Sequence, residues 1–463
     1  MSSPLVSVII PSYNQAEYLG EAVRSVLDQT YQNFEVIVVN DASPDNTDEV
    51  IKRFNDPRLK YFVHEKNLRL SAARNTGINA SLGEIIALLD GDDYLHSEKL
   101  ELHVKFLEAH PEIGVSYNAR FELNHSSNTI REMWRPPLEA GLVDLMQGFP
   151  FSPSDMVIRR DWAFKVGLFN PEMGTAEDTD FPCRLALAGC QFAGIDRALN
   201  YRRYHSGRGR KNLEGRLHDV ERSLAAVLAD PRCSAEAKAL GHKAIKLHMM
   251  VIVSLALIQN EIPIAHKYLH QLIELDSSVI GGNPCELVEF LLSDSIADAS
   301  LDHEQKLKAI FEQLPQELSY LSSQYNWAVQ RGFLWKGIRA VIWGGLMDPH
   351  VYFERALASK AVVDETLTQA TTYSLLNHEH EFGSAAAFKA LSELKPLFNQ
   401  LKARGGDLLA GSYLINRAFQ HYQDREYSRV PDRILRACWN DPSYLKNRGV
   451  LSIFLRSLVK TAQ

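Results

Sequence analysis

Cysteine is scarce in this chain, and its arrangement excludes several classes of protein. Five cysteines occur in 463 residues, an odd number that contains no C-x-x-C pair. Disulfide frameworks and zinc sites depend on paired, regularly spaced cysteines, so neither is expected. The thiols should be reduced, as in a cytosolic protein.

Charge, targeting and membrane signals are also weak. The formal net charge is −7 with no acidic or basic tail, which favours no nucleic-acid partner. Residues 1–4 lack the charged start of a signal peptide. The longest apolar run, near residues 249–258, is shorter than the ~20 residues that cross a bilayer. We therefore expect a cytoplasmic protein, with peripheral attachment at the inner face of a membrane left open.

Two common nucleotide-binding loops are missing as well. No G-x-G-x-x-G follows the first apolar run, which disfavours an NAD or FAD site, and no G-x-x-x-x-G-K-[ST] sequence occurs. A bound nucleotide would then have to be held by side chains and a metal ion.

What the first part of the chain does contain is an alternation of strands and helices. Apolar runs predict strands at residues 5–10, 34–39, 59–64 and 85–89, and helical spacing predicts helices at 17–29, 47–54 and 71–80. This order is typical of a doubly wound α/β fold with a parallel sheet and right-handed crossovers. Polar loops follow the first, second and fourth runs, so we expect them to meet at one edge of the sheet.

The last of these loops is an acidic cluster with a D-x-D pattern. Asp90, Asp92 and Asp93 directly follow a buried strand. Like charges this close repel each other unless a cation neutralises them, and oxygen ligands suit Mg²⁺ or Mn²⁺. The alternative is an acidic turn that caps the next helix.

Five short motifs follow one another in the first part of the chain: VSVIIPSYN at 6–14, SVLDQTY at 25–31, VVNDAS at 38–43, AARNTG at 72–77 and LDGDD at 89–93. In this order and spacing they resemble the family 2 glycosyltransferases. The resemblance covers roughly residues 4–210, and it implies a GT-A fold, a nucleotide-diphospho-sugar donor, a divalent metal and inversion at the anomeric carbon.

The resemblance assigns a first group of residues to the donor. Pro11 and Tyr13 are expected to line the base pocket, with Tyr13 stacking on the base. Asp41 is expected to accept a hydrogen bond from the base, as a UDP- or dTDP-linked sugar would require. Asn14 and Arg74, in the same motifs, are expected to bind substrate.

A second group concerns the metal and the diphosphate. Asp92 matches the acid near the ribose and the metal, and Asp93 the direct metal ligand, while Asp90 begins the motif and is expected to bind substrate. Asp90 and Asp92 as the metal pair remain an alternative. Arg203 and His205 match an Arg-x-His near the diphosphate, with His205 as a further metal ligand; a solvated basic linker is the alternative.

Three positions depart from the family pattern. Asn40 stands where Asp is usual, and Ala42 and Arg69 stand where Gly is usual. Arg69 could contact the diphosphate or simply be solvated.

A second acidic motif lies at residues 177–180. Thr175 could cap a helix whose first turn is acidic, which the helix dipole alone would favour. In the family, the second acid of the Glu177–Asp178 pair removes the acceptor proton. The resemblance therefore implies Asp178 as general base, with Glu177 and Asp180 orienting it or binding the acceptor.

From residue 213 onward the strand signals vanish. We predict a transferase domain over 1–212 and an all-α bundle or irregular repeat over 213–463, weakly similar to tetratricopeptide repeats. Asp276, Asp348 and Asp441 each recur after a predicted helix. This region adds no catalytic motif, so we expect it to present an acceptor or partner surface.

The sequence therefore predicts an inverting, metal-dependent transferase that moves a sugar to a hydroxyl of a glycan, a lipid-linked sugar or a protein, as in polysaccharide biosynthesis. The Q-x-x-R-W motif of processive synthases is absent, which favours transfer of single sugars. A non-catalytic nucleotide-sugar-binding scaffold acting through its helical domain is the alternative, and a nucleotidyltransferase is a weaker one.

Overall fold

The structure is a computed structural model that describes residues 3–124, 128–148, 150–204, 212–297, 302–345 and 347–461. The chain divides into two compact units. The first comprises Met1–Asn128, Trp134–Leu291 and Ile310–Ser319, and the second comprises Thr129–Met133, Leu292–Ala309 and Tyr320–Gln463. The predicted division at residue 212 falls inside the first unit, which continues through several helices. The assignment of separate domains over 1–212 and 213–463 stays a prediction.

The α/β part of the chain begins with the predicted alternation. Its elements are β1 Val6–Ser12, α1 Ala16–Leu27, β2 Phe34–Asn40, α2 Thr47–Ile51, β3 Leu59–Val63, α3 Leu70–Ala80, β4 Ile85–Leu88, β5 Tyr94–Leu95 and α4 Lys99–Ala109. It continues with β6 Ile113–Asn124, β7 Ile130–Trp134, β8 Glu139–Ala140, α5 Leu142–Gly148, a 3₁₀ helix Pro153–Asp155, β9 Val157–Arg159, α6 Arg160–Lys165, α7 Glu177–Leu187 and β10 Gln191–Tyr204.

The strands form one mixed sheet in the order β3-β2-β1-β4-β9-β6-β10-β5. The first four strands are parallel, as predicted, and β9 is antiparallel to both β4 and β6. The sheet is therefore mixed, since β6 and β10 also pair in parallel, whereas β5 is antiparallel to β10. The strand predicted to stop before Pro11 extends to Ser12, where it pairs with Asn40 of β2.

Both faces of the sheet are buried, because neighbouring residues of β1 point into different cores. Val8 and Ile10 pack with Leu19 of α1, whereas Ile9 packs on the other face with Ala73 of α3. α3 lies so close to β1 that a Cβ at Gly77 would be 2.3 Å from Cγ2 of Ile9. Glycine at position 77 therefore lets α3 approach the sheet.

Helices follow the sheet within the first unit. They are α8 Leu213–Ala229, α9 Ala235–Ala239, α10 Gly241–Ile258, α11 Ile262–Leu275, a 3₁₀ helix Ser277–Ile280 and α12 Glu286–Ser295, whose last residues belong to the second unit. α10 is long and apolar enough to cross a bilayer, which the length of its apolar run did not indicate. More than half of it is buried among other helices, as is typical of a core helix.

The later elements are helical, as predicted. They are α13 His303–Glu312, a 3₁₀ helix Gln316–Gln324, α14 Tyr325–Trp343, α15 Pro349–Ala358, α16 Glu365–Phe382, α17 Ser384–Leu401, α18 Gly405–Gln423, a 3₁₀ helix Tyr427–Arg429, α19 Val430–Asn440, a 3₁₀ helix Pro442–Lys446 and α20 Arg448–Thr461. In the second unit α18 packs against α16, α17 and α19.

The recurring aspartates noted in the sequence have a local structural role. Asp276, Asp348 and Asp441 each accept a hydrogen bond from a backbone N–H two residues later and so cap the next helical element. The weak repeat thus marks helix starts, where such caps satisfy otherwise unpaired donors.

Candidate active site

The loops after β1, β2 and β4 meet at one edge of the sheet, as the strand order predicts. The Asp41 N–H donates to the Ser12 carbonyl at 2.9 Å, and the Asn14 N–H donates to Ser43 Oγ at 3.1 Å. A Cβ at Gly91 would lie 3.1 Å from the Pro11 carbonyl. The predicted residues Pro11, Asn14 and Asp41 therefore share one rim with the acidic loop.

Asp41 is buried and held by the segment before α3. Its Oδ1 accepts from the Leu68 N–H at 2.8 Å and lies 2.7 Å from His64 Nδ1. His64 Nε2 in turn lies 2.9 Å from Thr76 Oγ1. Tyr13, by contrast, is 46% exposed at the rim. His64 was not predicted from the sequence, because it directly follows β3 and belongs to none of the motifs.

The acidic cluster is compact. Asp93 N–H donates to the Asp90 carbonyl at 3.0 Å, which closes a turn. Oxygen atoms of Asp90, Asp92 and Asp93 all lie within 4.8 Å of one another, and Asp92 and Asp93 are buried. Such an all-oxygen set fits a hard divalent cation. The three carboxylates are therefore the residues that could hold a metal.

Ser154 supports this cluster and was not predicted. Its hydroxyl accepts from the Asp90 N–H at 3.0 Å and donates to Asp93 Oδ2 at 3.1 Å. The buried Lys99 ammonium donates to the Ser154 carbonyl at 2.9 Å and to Asn118 Oδ1 at 2.6 Å. Burial lowers the pKa of Lys99 to about 7. A polar network beneath the loop thus fixes its shape.

Arg203 packs under the acidic loop. Its backbone N–H donates to Asp93 Oδ1 at 3.2 Å, and its guanidinium donates to the Asp92 carbonyl at 2.8 Å and pairs with Glu21. The guanidinium also stacks over the ring of Tyr94, 4.8 Å from its centroid. Arg203 is buried, so these contacts make it a support of the loop. His205, the predicted third metal ligand, lies outside the described residues.

Arg74 connects the acidic loop to the second acidic motif. Its side chain is 1% exposed, and it pairs with Asp90 at 2.8 Å and with Glu177 at 3.0 Å. The neighbouring Asn75 brackets the backbone of Phe169, donating to its carbonyl at 2.7 Å and accepting from its N–H at 3.0 Å. The Arg-Asn pair of α3 therefore holds the start of α7 against the sheet edge.

Glu177 and Asp178 begin α7, and burial disfavours charge on both. Burial, with the neighbouring Asp178 charge as the second cause, raises the pKa of Glu177. Burial likewise raises the pKa of Asp178, although the nearby Arg216 and Arg74 oppose this. Asp178 Oδ1 is inaccessible to solvent and has no hydrogen-bond partner among the residues that the structure describes. An unpaired carboxylate oxygen of this kind is suited to accept a proton.

Asp180 has a different environment. It pairs with Arg184 one turn later at 2.7 Å, and Arg184 donates to the carbonyls of Val166 and Leu168. Asp180 thus anchors α7 to the preceding loop, in line with an orienting contribution.

α8 contributes to the same region, which sequence reasoning did not predict. Asp219 Oδ2 accepts from the N–H of Gly174 at 2.8 Å and from the N–H of Thr175 at 3.2 Å. Thr175 itself does not cap α7, since the N-cap is Ala176 and no side chain caps it. Arg216, one turn before Asp219, opposes the rise that burial causes in the pKa of Asp178. Helical periodicity alone gave no signal for these roles.

The three departures from the family pattern have local explanations. Asn40 Nδ2 donates to Asp48 Oδ1 at 3.0 Å, a contact that an aspartate could not make. Ala42 has φ 58° and Arg69 has φ 73°, so both residues adopt the left-handed backbone conformation that favours glycine. Arg69 is exposed, with Nη1 3.2 Å from the position of a Cβ at Gly174. Its side chain therefore extends toward the start of α7.

Comparison with known proteins agrees with this geometry. Residues 7–167 match the sequence model of the family described as Glycosyl transferase family 2. An uncharacterized glycosyltransferase of Rickettsia conorii is 34% identical over 207 residues, 44% of this chain and 33% of that protein. One of Rickettsia bellii is 50% identical over 104 residues, 22% of this chain and 15% of that protein.

A solved structure is similar at a lower sequence identity. The TarS 1–349 fragment of S. aureus in complex with UDP-GlcNAc has a TM-score of 0.43 and 17% identity, covering 82% of this chain and 93% of that chain. A TM-score this low supports no conclusion by itself.

These findings define the class of the α/β region. Residues 7–167 form a glycosyl transferase family 2 domain, and the mixed sheet with helices on both faces is its GT-A fold. The predicted fold class, a GT-A domain followed by a helical region, is confirmed. The chain spans no more than a third of the two Rickettsia relatives, so the activity of the whole protein is a matter for proposal.

Proposed function

We propose that this protein is an inverting glycosyltransferase that moves a sugar from a nucleotide-diphospho-sugar to a hydroxyl acceptor. The observation that carries the proposal is the position of Asp178. Its Oδ1 is inaccessible to solvent and has no hydrogen-bond partner among the described residues, and it lies at the start of a helix that Arg74 ties, through Glu177, to the acidic loop. A proton acceptor and a set of anionic ligands are thus held together by one buried cation.

The donor is proposed to lie along the rim formed by the loops after β1 and β2. Tyr13 is exposed there and available to stack on a base, and Pro11, two residues earlier, is buried. Asp41 is held in place by Leu68 and His64 and would accept the imide N–H of a pyrimidine. This arrangement supports a UDP- or dTDP-linked sugar as the donor.

The carboxylates of Asp90, Asp92 and Asp93 fit a divalent cation, because their oxygens lie within 4.8 Å of one another. Mg²⁺ or Mn²⁺ bound there would neutralise charge on the diphosphate. Asp92 belongs to both candidate metal pairs. Asp93 already accepts from Ser154 and from the Arg203 N–H, whereas Asp90 pairs with Arg74.

Asp178 accepts the proton of the acceptor hydroxyl as the hydroxyl oxygen forms a bond to the anomeric carbon. The bond from that carbon to the diphosphate oxygen breaks, and the nucleoside diphosphate leaves with the electron pair. Attack opposite the leaving group inverts the anomeric configuration. Glu177 keeps its contact with Arg74 and so orients its neighbour.

The acceptor is proposed to be a glycan, a lipid-linked sugar or a protein in the cytoplasm, in a pathway of polysaccharide synthesis. Arg69 extends toward the start of α7 and is proposed to contact substrate there. Arg203 is proposed to act on the donor through the shape of the acidic loop, given its buried contacts with Asp92 and Asp93.

The test is a donor-hydrolysis screen of the full chain with a panel of nucleotide sugars, with and without Mn²⁺. We expect metal-stimulated hydrolysis of one uridine or thymidine donor, and no hydrolysis by Asp178→Asn. Binding of a nucleotide sugar without hydrolysis or transfer under any condition would instead favour the scaffold alternative.

A further inference from the structure

The last helix of the described chain carries an apolar stripe on its exposed side. Leu451, Leu455, Leu458 and Val459 of α20 are 40%, 62%, 45% and 62% exposed. Their spacing of i, i+4, i+7 and i+8 places them on one face of a helix. Val450 and Ser457 are the buried residues of α20 and lie away from that face. One side of α20 therefore packs against other helices of the second unit, and another side exposes leucines.

Further large apolar side chains are exposed just before α20. Leu435 and Trp439, four residues apart on α19, are 60% and 87% exposed, and Leu445 in the following 3₁₀ helix is 56% exposed. α19 packs directly against α20. We name residues 435–461 the C-terminal apolar segment. A tryptophan this exposed is unusual on the surface of a water-soluble protein, and it is common where a protein contacts the interface of a bilayer.

The same segment is strongly basic. It contains five cations, Arg436, Lys446, Arg448, Arg456 and Lys460, and one carboxylate, Asp441, for a net charge of +4 in a chain of −7. Lys446, Arg448 and Arg456 form no ion pair within the part of the chain that the structure describes. Arg436 pairs with Asp432, and Lys460 donates to the Tyr427 hydroxyl at 3.0 Å. Three of the five cations that flank the leucines thus have no anionic partner among the described residues.

We propose that the C-terminal apolar segment binds the surface of a bilayer that contains anionic lipids. Leucine side chains would enter the acyl boundary while the flanking cations contact lipid phosphates. α20 has 14 residues, fewer than the ~20 needed to span the apolar core, so it would lie in the plane of the interface. The charge argues against a second copy as the occupant, because a two-fold contact would place two faces of like charge together.

The experiment is co-sedimentation of the full chain with vesicles of phosphatidylcholine alone and of phosphatidylcholine mixed with phosphatidylglycerol. The double variant Leu455→Gln/Leu458→Gln replaces two exposed apolar side chains by polar ones and leaves the buried Val450 and Ser457 unchanged. Val362→Gln is the matched control, since Val362 is 66% exposed in the same unit. Thermal melts followed by circular dichroism verify that all three proteins are folded.

We expect the natural chain and the Val362 variant to bind the anionic vesicles equally. The double variant should bind at least about tenfold more weakly, because each buried methylene contributes to interfacial affinity. Added salt and Arg448→Gln/Arg456→Gln should each weaken binding, as expected for screened charges.

Equal binding to neutral and anionic vesicles would overturn the proposal, as would no binding at low salt. Light scattering identifies the competing occupant. A dimer that becomes a monomer in the double variant, without vesicle binding by either protein, would assign the face to a second copy of the chain.

Discussion

The Asp219 carboxylate accepts a hydrogen bond from the backbone N–H of Gly174 at 2.8 Å. Gly174 lies three residues before Glu177, the first residue of α7, and Asp219 lies on α8; all three residues follow the region that matches the family model. The helical region thus holds the loop that leads into the proposed catalytic helix. Its contribution is structural support within the first unit, in addition to any surface it offers.

Loss of this support should slow transfer without weakening donor binding. We expect Asp219→Ala to lower kcat by about ten- to a hundredfold, because small displacements of a catalytic group are costly, while the donor Kd stays unchanged. Asp219→Asn, which keeps one acceptor oxygen, should recover part of the rate. Glu214→Gln is the control, since Glu214 lies on the same helix as Asp219 and forms an exposed ion pair with Lys267 of α11. A parallel loss of donor affinity would assign Asp219 a general folding role.

Removal of the proposed base should greatly lower turnover and leave donor binding unchanged. Asp178→Asn keeps the shape of the side chain but cannot accept a proton, so the rate should fall by about 10²- to 10⁴-fold. The donor Kd, measured by calorimetry, should be unchanged. Asp180→Asn keeps one oxygen that can accept from Arg184 and should retain most of the rate. A near-normal rate for Asp178→Asn would place the base elsewhere.

The same variant should be more stable than the natural chain at neutral pH. Burial raises the pKa of Asp178 above its ordinary value of 3.8, so the folded state disfavours the ionised form. Stability therefore falls as pH rises through the raised pKa, and below 3.8 the penalty is absent. Asp178→Asn should raise Tm at pH 7, and the gain should shrink toward pH 4. An equal Tm difference at both pH values would contradict this account.

Single carboxamide variants should distinguish the two candidate metal pairs. Asp92→Asn should lose Mn²⁺-dependent nucleotide binding in either case, because Asp92 belongs to both. If Asp92 and Asp93 hold the metal, Asp93→Asn should share this loss and Asp90→Asn should not; the reverse result would assign Asp90 and Asp92. Titration calorimetry with and without Mn²⁺ measures the effect. Retention of metal-dependent binding in all three variants would remove the cluster from the metal site.

Relief of backbone strain at Ala42 should stabilise the protein. Ala42 has φ 58°, a left-handed conformation that costs an L-residue roughly 1–2 kcal/mol. Glycine loses more entropy on folding, so Ala42→Gly should raise the free energy of unfolding by up to about 1 kcal/mol. Ala226→Gly, at an exposed position within α8, should lower it by about 1 kcal/mol. Destabilisation by both changes would show that other contacts of Ala42 outweigh its strain.

The early elements of the fold were predictable because their signals are local. Apolar runs and helical spacing located β1 to β4 and α1 to α3 within a few residues, and parallel strand ends necessarily share an edge. The loops after β1, β2 and β4 therefore lie together at that edge, while the roles of their residues stay predictions. The stopping point of β1 was wrong, because pairing with β2 carries the strand through Pro11 to Ser12.

Contacts between residues far apart in the sequence could not be predicted from such local patterns. Arg74 meets Glu177 across 103 positions, Arg203 meets Asp92 across 111, and Ser154 meets Asp93 across 61. None of these pairs has a spacing that a helix or strand would reveal. The compact first unit likewise extends past residue 212, because α8 packs against α7 and α10 against α5.

The sequence by itself therefore determined the order of the α/β elements, the family of the α/β domain and the edge at which its acidic residues gather. These features follow from local periodicity and from the geometry of parallel strands. Only the tertiary structure decided which cation neutralises which carboxylate, which oxygen of Asp178 stays unpaired, and which helix faces remain exposed. Those outcomes depend on burial and on long-range packing, where desolvation sets the cost of every charge.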